Sequence, residues 1–136
     1  MRKECWADFK FFHPWEDWGD PELIEYELVF KLEKLRKFIG VPIVILCGTQ
    51  GKHAQNSLHY FGRAVDCYAK EISVVDFFLA AERFEFGGIG VYSWWEHKGL
   101  HLDIRIVPDG MPAARWASPE EGEYIALNEK FLRTLI

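Results

Sequence analysis

The 136-residue chain is long enough to form one domain with a substantial core, because 49% of its residues are hydrophobic and 16% are aromatic. This composition excludes a disordered tail, a collagen-like fibre and a tandem repeat array. Lys and Arg number 16 against 21 Asp and Glu, so the net charge is −5, and no basic block is present. We therefore expect one monomeric domain over residues 1–136 that binds no nucleic acid.

The cysteines and the start of the chain bear on the cellular compartment. Three cysteines at no paired spacing, Cys5, Cys47 and Cys67, argue against a disulfide framework and for a reducing environment. The first residues lack the apolar segment of a signal peptide, and no run approaches the roughly 18 apolar residues of a membrane span. We expect a soluble protein with no membrane segment and no export signal of its own.

The chain opens with a predicted arm and a predicted helix. Residues 1–19 form the arm, whose aromatic residues are mixed with turn formers and are expected to pack on the core. Asp20 is a typical helix N-cap, Pro21 suits the first helical position, and Gly40 is a typical stop. These signals predict a helix over residues 21–39.

Two strands, a loop and a second helix follow. The β-branched run at residues 42–46 predicts a strand that is buried on both faces. Residues 48–60 are polar and glycine-containing, which favours a functional loop. Residues 62–68 return to a strand pattern, and a capping box at Ser73 predicts a helix that ends near residue 84.

A hairpin is predicted after a Gly-Gly turn, with strands at residues 89–93 and 100–106. In the second strand the side chains of His101, Asp103 and Arg105 alternate with apolar ones, so the three polar groups share one face. An apolar back and a polar front predict a sheet that lines a cleft.

The C-terminal region is predicted as a loop at residues 108–119 and a helix over residues 120–136. The order helix, strand, helix, strand, strand around one sheet indicates an α+β fold. We expect a small antiparallel sheet with flanking helices.

Four of the five histidines lie between residues 53 and 101. A bend between His59 and Asp66 could aim both side chains at one point, and His101 on another strand could join them. Two imidazoles and a carboxylate form a zinc set that leaves a fourth position open, as in catalytic sites. Spacing alone leaves the alternative of ordinary solvated loop histidines.

The run Ser-Leu-His-Tyr-Phe-Gly-Arg-Ala-Val-Asp at residues 57–66 resembles the Ser-x-His-x-x-Gly-x-Ala-x-Asp signature of the zinc D-Ala-D-Ala carboxypeptidase and dipeptidase family. It is also similar to the zinc motif of the hedgehog signalling domain, which shares that fold. The Gly-Gly-Ile-Gly-Val-Tyr run at 87–92, His-Leu-Asp at 101–103 and Arg-Trp at 115–116 resemble the bacterial and phage branch of the family. The similarity covers about residues 11–116.

The resemblance implies one zinc ion held by His59, Asp66 and His101, with a polarised water that attacks a peptide carbonyl. The implied function is a zinc metallopeptidase that hydrolyses a peptide bond of the peptidoglycan stem or cross-link, as a carboxypeptidase or endopeptidase. A protein of this kind without a signal peptide would be cytoplasmic when made and reach the cell wall through phage or lysis machinery.

The general base is the point where the sequence departs from the family. The dipeptidases carry a Glu three residues before the last His ligand, where this chain has Lys98. The hedgehog domain has a nearby Glu that Glu96 resembles, so Glu96 is the first candidate for the base. His97 and Asp103 are the alternatives; Asp103 could instead orient a ligand imidazole, and Glu96 and His97 could be a solvated hairpin tip.

The resemblance also suggests groups that contact the substrate. His53 matches a histidine that neighbours zinc in the hedgehog domain and could donate to the oxyanion. Gln50 lies where the family has a substrate-binding Arg, and it cannot pair with a carboxylate. Ser57, Arg63 and Trp95 complete the candidate substrate-binding set, although Arg63 could be a structural ion-pair partner and Trp95 could be packing.

A second function fits the same motifs. The hedgehog resemblance and the absence of the usual base are compatible with a zinc-containing binding module that has no turnover.

Overall fold

The computed structural model describes residues 1–136 and shows an α+β fold built on one six-stranded sheet. Short 3₁₀ turns lie at Lys3–Asp8, Leu58–Phe61 and Glu82–Phe84. The helices are α1 (Tyr26–Ile39), α2 (Val74–Ala81) and α3 (Glu129–Arg133). The strands are β1 (Ile43–Cys47), β2 (Ala64–Ala69), β3 (Gly88–Tyr92), β4 (Gly99–Asp103), β5 (Ala114–Ser118) and β6 (Ile125–Ala126).

The strand order in the sheet is β1-β2-β4-β3-β5-β6. The α+β class and the β3–β4 hairpin are confirmed, but the expectation of a wholly antiparallel sheet is wrong because β3 and β5 pair in parallel. The reason is the chain path. β4 reverses the direction of β3, and residues 104–113 then carry the chain back to the free edge of β3, where β5 starts in the original direction.

The core lies between the sheet and the helices and is extended by the N-terminal arm. It is one cluster of 26 buried residues. Arm residues Trp6, Phe12 and Trp18 belong to this cluster, which confirms that the aromatic arm packs on the core. The Trp6 and Trp18 rings lie 5.3 Å apart, and the indole N–H of Trp18 donates to the His13 carbonyl at 2.8 Å. The arm is therefore held by both apolar burial and hydrogen bonds.

Helix α1 begins later than the sequence predicts. Its first residue is Tyr26, and Asp20 instead closes a turn in which its Oδ1 accepts from the Glu22 backbone N–H at 3.0 Å. An Asp caps a turn and a helix through the same kind of hydrogen bond, so the local signal does not distinguish them. The predicted end is confirmed, because Gly40 adopts the left-handed conformation that terminates a helix.

Strand β1 lies at the edge of the sheet. The prediction that both of its faces are buried is wrong. Ile43 and Ile45 point into the core, whereas Leu46 is 39% exposed. Val44, on the same face as Leu46, is half-buried, so this face is only partly covered. This places the end of β1 beside a surface groove.

The C-terminal prediction fails in two places. The predicted loop at 108–119 contains β5, and the predicted helix over 120–136 contains β6 and only the short helix α3. Backbone pairing of Ile125 and Ala126 with β5 overrides their helical propensity. None of the helices is long and apolar enough to cross a membrane.

Two glycines provide a matched test of local packing. Gly62 and Gly110 both have a positive φ, +68° and +76°, but a Cβ at Gly62 would overlap the Leu23 carbonyl while Gly110 faces open space. We expect Gly110→Ala to cost about 1 kcal/mol in unfolding free energy and Gly62→Ala about 3 kcal/mol or more. Urea denaturation measures both values, and equal costs would contradict the packing argument.

Candidate metal centre

The candidate centre forms where β2, β4 and the Leu58–Phe61 turn meet. Asp66 on β2 lies directly opposite His101 on β4, so the two side chains emerge side by side from the same face. His59 comes from the turn, which Ser57 caps by accepting the His59 backbone N–H at 3.2 Å. The left-handed Gly62 then redirects the chain into β2. Local turn chemistry thus delivers His59 to a pair that the sheet has already aligned.

Three ligand atoms converge in this cluster. His59 Nε2 and His101 Nδ1 are 3.2 Å apart, and each lies 3.3 Å from Asp66 Oδ1. His59 and His101 are buried, while Asp66 is partly open to a cavity. These three side chains form a group that could hold a metal ion.

The outer nitrogen of each imidazole is fixed by a hydrogen bond. His59 Nδ1 lies 2.9 Å from the Gly48 carbonyl oxygen, and His101 Nε2 lies 2.7 Å from Asp103 Oδ2. Both partners can only accept, so these ring nitrogens must carry the hydrogens. The inner nitrogens of neutral rings therefore present lone pairs to the centre, as a metal requires.

A second layer of contacts holds Asp103 in place. The Asp103 carboxylate accepts from Arg105 Nε at 2.9 Å and from Arg105 Nη2 at 2.6 Å. Gly88 lies opposite Asp103 in the sheet, and a Cβ there would overlap the carboxylate. His101, Asp103 and Arg105 contact one another in series on one side, as predicted. Only His101 lines the cavity at this site, however, because Asp103 is fully buried and Arg105 lies beyond the end of β4.

The two carboxylates are ionised at neutral pH. Burial on its own raises the pKa of Asp66, but hydrogen bonds with His101 and His59, which form when an inner ring nitrogen carries a hydrogen, outweigh it and lower the pKa to about 2. Burial also opposes ionisation of Asp103, yet hydrogen bonds from His101 and Arg105 hold its pKa well below the usual range. For His101, burial lowers the pKa while bonds to Asp103 and Asp66 raise it, and the net shift is upward. The cluster therefore favours a positive charge at its centre.

Cys47, His53 and His59 form a second group whose ligand atoms lie within 4.8 Å of one another. The His53 and His59 rings are stacked, with centroids 4.0 Å apart and planes 9° from parallel. An imidazole binds a metal in its own ring plane, and two stacked planes cannot share one ion in this way. The group of His59, Asp66 and His101 is thus the better chelating arrangement.

A cavity of about 450 Å³ opens onto the centre. Its lining includes Ser57 and His53 from the loop before the turn, and Tyr92 and Trp95 from the end of β3 and the β3–β4 loop. The Trp95 ring stacks on Tyr92 with centroids 4.4 Å apart. A small molecule or a peptide segment can therefore approach the three ligand atoms from solvent.

The candidate bases occupy different places. Asp103 contacts the outer nitrogen of His101, away from the convergent atoms. Glu96 and His97 are exposed and line an adjoining cavity together with Asp66, not the cavity that opens onto the centre. His97 stacks on Tyr68 with centroids 4.3 Å apart. The structure thus brings Glu96 and His97 to the rim of the site and leaves Asp103 behind it.

Two predicted substrate-binding side chains are engaged in structural contacts. The Gln50 amide donates to the Asp17 carbonyl at 2.7 Å and accepts from the Gly48 N–H at 2.7 Å, which ties the arm to the loop. Arg63 pairs with Glu25 at 2.9 Å and donates to the Ile104 carbonyl at 2.8 Å. Neither side chain is therefore free to contact a substrate.

Three residues of the site were not assigned a role from the sequence. The Gly48 carbonyl orients His59, and Lys52 and Tyr124 line the cavity. The predicted functional loop at 48–60 was the signal for Gly48 and Lys52. No sequence signal pointed to Tyr124, because it reaches the cavity only through the pairing of β6 with β5.

No protein-family model matches the chain, and no curated protein matches it in sequence.

Removing either imidazole tests the ligand set. We expect His59→Ala and His101→Ala to lose Zn²⁺ that the wild type retains, because each substitution removes one of the three convergent ligand atoms. Since metal binding stabilises the folded state, both variants should also be less stable. Native mass spectrometry after Zn²⁺ loading measures retention. His97→Ala is the matched control and should retain the metal; retention in all three variants would refute the assignment.

The orienting role of Asp103 has its own test. We expect Asp103→Asn to weaken Zn²⁺ affinity about 10–100-fold. The Asp103 carboxylate orients the His101 ring and makes its ligand nitrogen more basic, and a neutral amide lacks the charge for this. Competition with a chromophoric chelator measures the Zn²⁺ affinity. Cooperative unfolding of each sample shows that the variants are folded. Asp109→Asn on an exposed loop is the control, and equal affinities in the two variants would show that Asp103 has no such role.

Proposed function

We propose that this protein is a zinc metallopeptidase that hydrolyses peptide bonds of peptidoglycan, with His59, Asp66 and His101 as the zinc ligands. The observation that carries the proposal is the convergence of three ligand atoms at separations of 3.2–3.3 Å. Two imidazoles, one carboxylate and an open side match the ligand pattern of catalytic zinc sites.

The separations support zinc over a larger cation. A regular tetrahedron with edges of this length has corners about 2.0 Å from its centre, which is the usual Zn–N and Zn–O distance. Calcium prefers six to eight oxygen ligands at roughly 2.3–2.6 Å, and this group offers two nitrogens. Zinc therefore agrees with the donor types and with their spacing.

Bound zinc would lower the pKa of a coordinated water towards roughly 7 and polarise the scissile carbonyl. The residues of the chain would do the remaining work. Asp103 keeps the His101 hydrogen on Nε2, so that Nδ1 stays available as a ligand. The Gly48 carbonyl does the same for His59.

Glu96 remains the first candidate for the general base. Its carboxylate has no hydrogen bond within the chain and lines a cavity that also contains Asp66. In this role it would accept a proton from the attacking water at a carboxylate oxygen and pass it to the leaving nitrogen. His97 lines the same cavity and is the alternative, whereas the Asp103 carboxylate already accepts from His101 and Arg105.

A catalytically silent zinc-binding module is the second candidate function. The exposure of Glu96 favours it, because no carboxylate other than Asp66 lies among the convergent ligand atoms. In that case the centre would stabilise the fold and present its cavity to a peptide without cleaving it. Turnover of purified muropeptides by the zinc-loaded protein separates the two functions.

The base assignment predicts a specific kinetic effect. We expect Glu96→Gln to retain zinc but to lower the rate of muropeptide hydrolysis by about 100-fold or more, because the amide cannot accept the proton. Glu71→Gln is the control, since Glu71 lines a neighbouring cavity away from Asp66. Liquid chromatography of the products measures both rates.

The outcomes separate the candidates. An unchanged rate in Glu96→Gln together with a loss in His97→Ala would move the role of base to His97. A folded, zinc-loaded wild type that leaves muropeptides intact, while a known hydrolase cuts them, would refute the peptidase and favour the binding module.

A further inference from the structure

A second cavity, of about 340 Å³, adjoins the candidate metal centre. It shares Asp66 and Trp95 with the cavity that opens onto the centre, so the two cavities meet at a metal-ligand carboxylate. The remaining lining comes from the end of β1 and from the β3–β4 loop, with residues Leu46, Cys47, Trp94, Glu96 and His97. A peptide that approaches the three ligand atoms can therefore place a neighbouring side chain in this cavity.

The cavity walls are mainly apolar, and two of their aromatic side chains are held in place. The Trp94 indole N–H donates to Ser118 Oγ at 3.1 Å, and Trp95 stacks on Tyr92. Trp94 is nevertheless 40% exposed and Leu46 is 39% exposed. Because the Trp94 N–H is already bonded inside the protein, the surface left to a ligand is mainly ring carbon.

The size and charge of the cavity restrict its occupant. No Lys or Arg lines it, and Asp66 and Glu96 are both acidic, so an anionic side chain would meet repulsion. The methyl group of an alanine would leave most of the volume unfilled. A large apolar side chain would bury ring and methyl carbons that now face solvent.

We propose that this cavity is a specificity pocket for a bulky apolar side chain, aromatic or branched aliphatic, on the residue next to the cleaved bond. The inference rests on the proposed zinc peptidase activity, and it extends the substrates beyond peptidoglycan stem peptides to peptides with such a residue. Leu46, Trp94 and Trp95 determine the specificity.

Binding of small probes tests the pocket without any need for turnover. We titrate metal-free and zinc-loaded protein with N-acetylphenylalaninamide and with N-acetylalaninamide and follow ¹⁵N spectra, including the indole N–H signals of Trp94 and Trp95. We expect saturable shifts with the phenylalanine probe and an affinity about tenfold or more above that of the alanine probe.

A filled pocket supplies the matched variant. Leu46→Trp adds a large ring to the lining of the pocket and should weaken binding of the phenylalanine probe about tenfold or more. Leu79→Trp is the control, because Leu79 is an exposed leucine on α2 that does not line the pocket. Equal affinities for the two probes, or equal affinities in the two variants, would overturn the pocket.

A series of peptides that differ only in the residue next to the cleaved bond distinguishes the pocket from the proposed peptidase activity. The measurement is the turnover of each peptide. Higher kcat/KM for Phe and Leu than for Ala supports the pocket. Cleavage that ignores the side chain contradicts the pocket and leaves the peptidase intact. Selective probe binding with no cleavage of any peptide contradicts the peptidase, and with it the role of the cavity in choosing a substrate.

Discussion

The lateral pairing of Asp66 with His101 across β2 and β4 is the constraint on which the site depends. Strand pairing fixes the separation of directly opposite side chains, so the carboxylate and the imidazole meet without a flexible loop between them. The other residues of the site are positioned around this pair. The Leu58–Phe61 turn brings in His59, and Asp103 orients His101 from two residues further along the same strand. A site anchored on two central strands is more rigid than one built on loops.

The site was more predictable than the fold around it, and the reason is the range of the interactions involved. The alternation from His101 onward is a local pattern, and the side chains of His101, Asp103 and Arg105 do contact one another in series, although β4 ends at Asp103 and not at the predicted residue 106. The parallel pairing of β3 with β5 joins segments that are distant in sequence, and no local pattern records it. The prediction for the C-terminal region was wrong for the same reason, since β6 is defined by its pairing with β5.

The candidate ligands and the supporting residues also differed in how far the sequence identified them. His59, Asp66 and His101 were predicted together and lie together. Gln50 was placed at the substrate from its position in a motif, but its amide bonds two backbone groups that hold the arm. Ser57 carries a local role that sequence could have supplied, because a Ser before a turn is a common cap. A motif identifies positions, whereas the role of a position depends on which neighbours it reaches.

The same hydrogen bonds that orient the ligands make the centre unfavourable when no cation is present. The hydrogens of both neutral imidazoles are held on their outer nitrogens, so the inner lone pairs face each other at 3.2 Å beside the Asp66 carboxylate. Three electron-rich atoms in a buried position repel one another unless a proton or a metal ion lies among them. The pKa of His101 is raised, which means that its surroundings favour binding of a proton. A divalent ion bound to all three lone pairs would remove this repulsion, and because it would bind the folded state and not the unfolded chain, it would stabilise the fold.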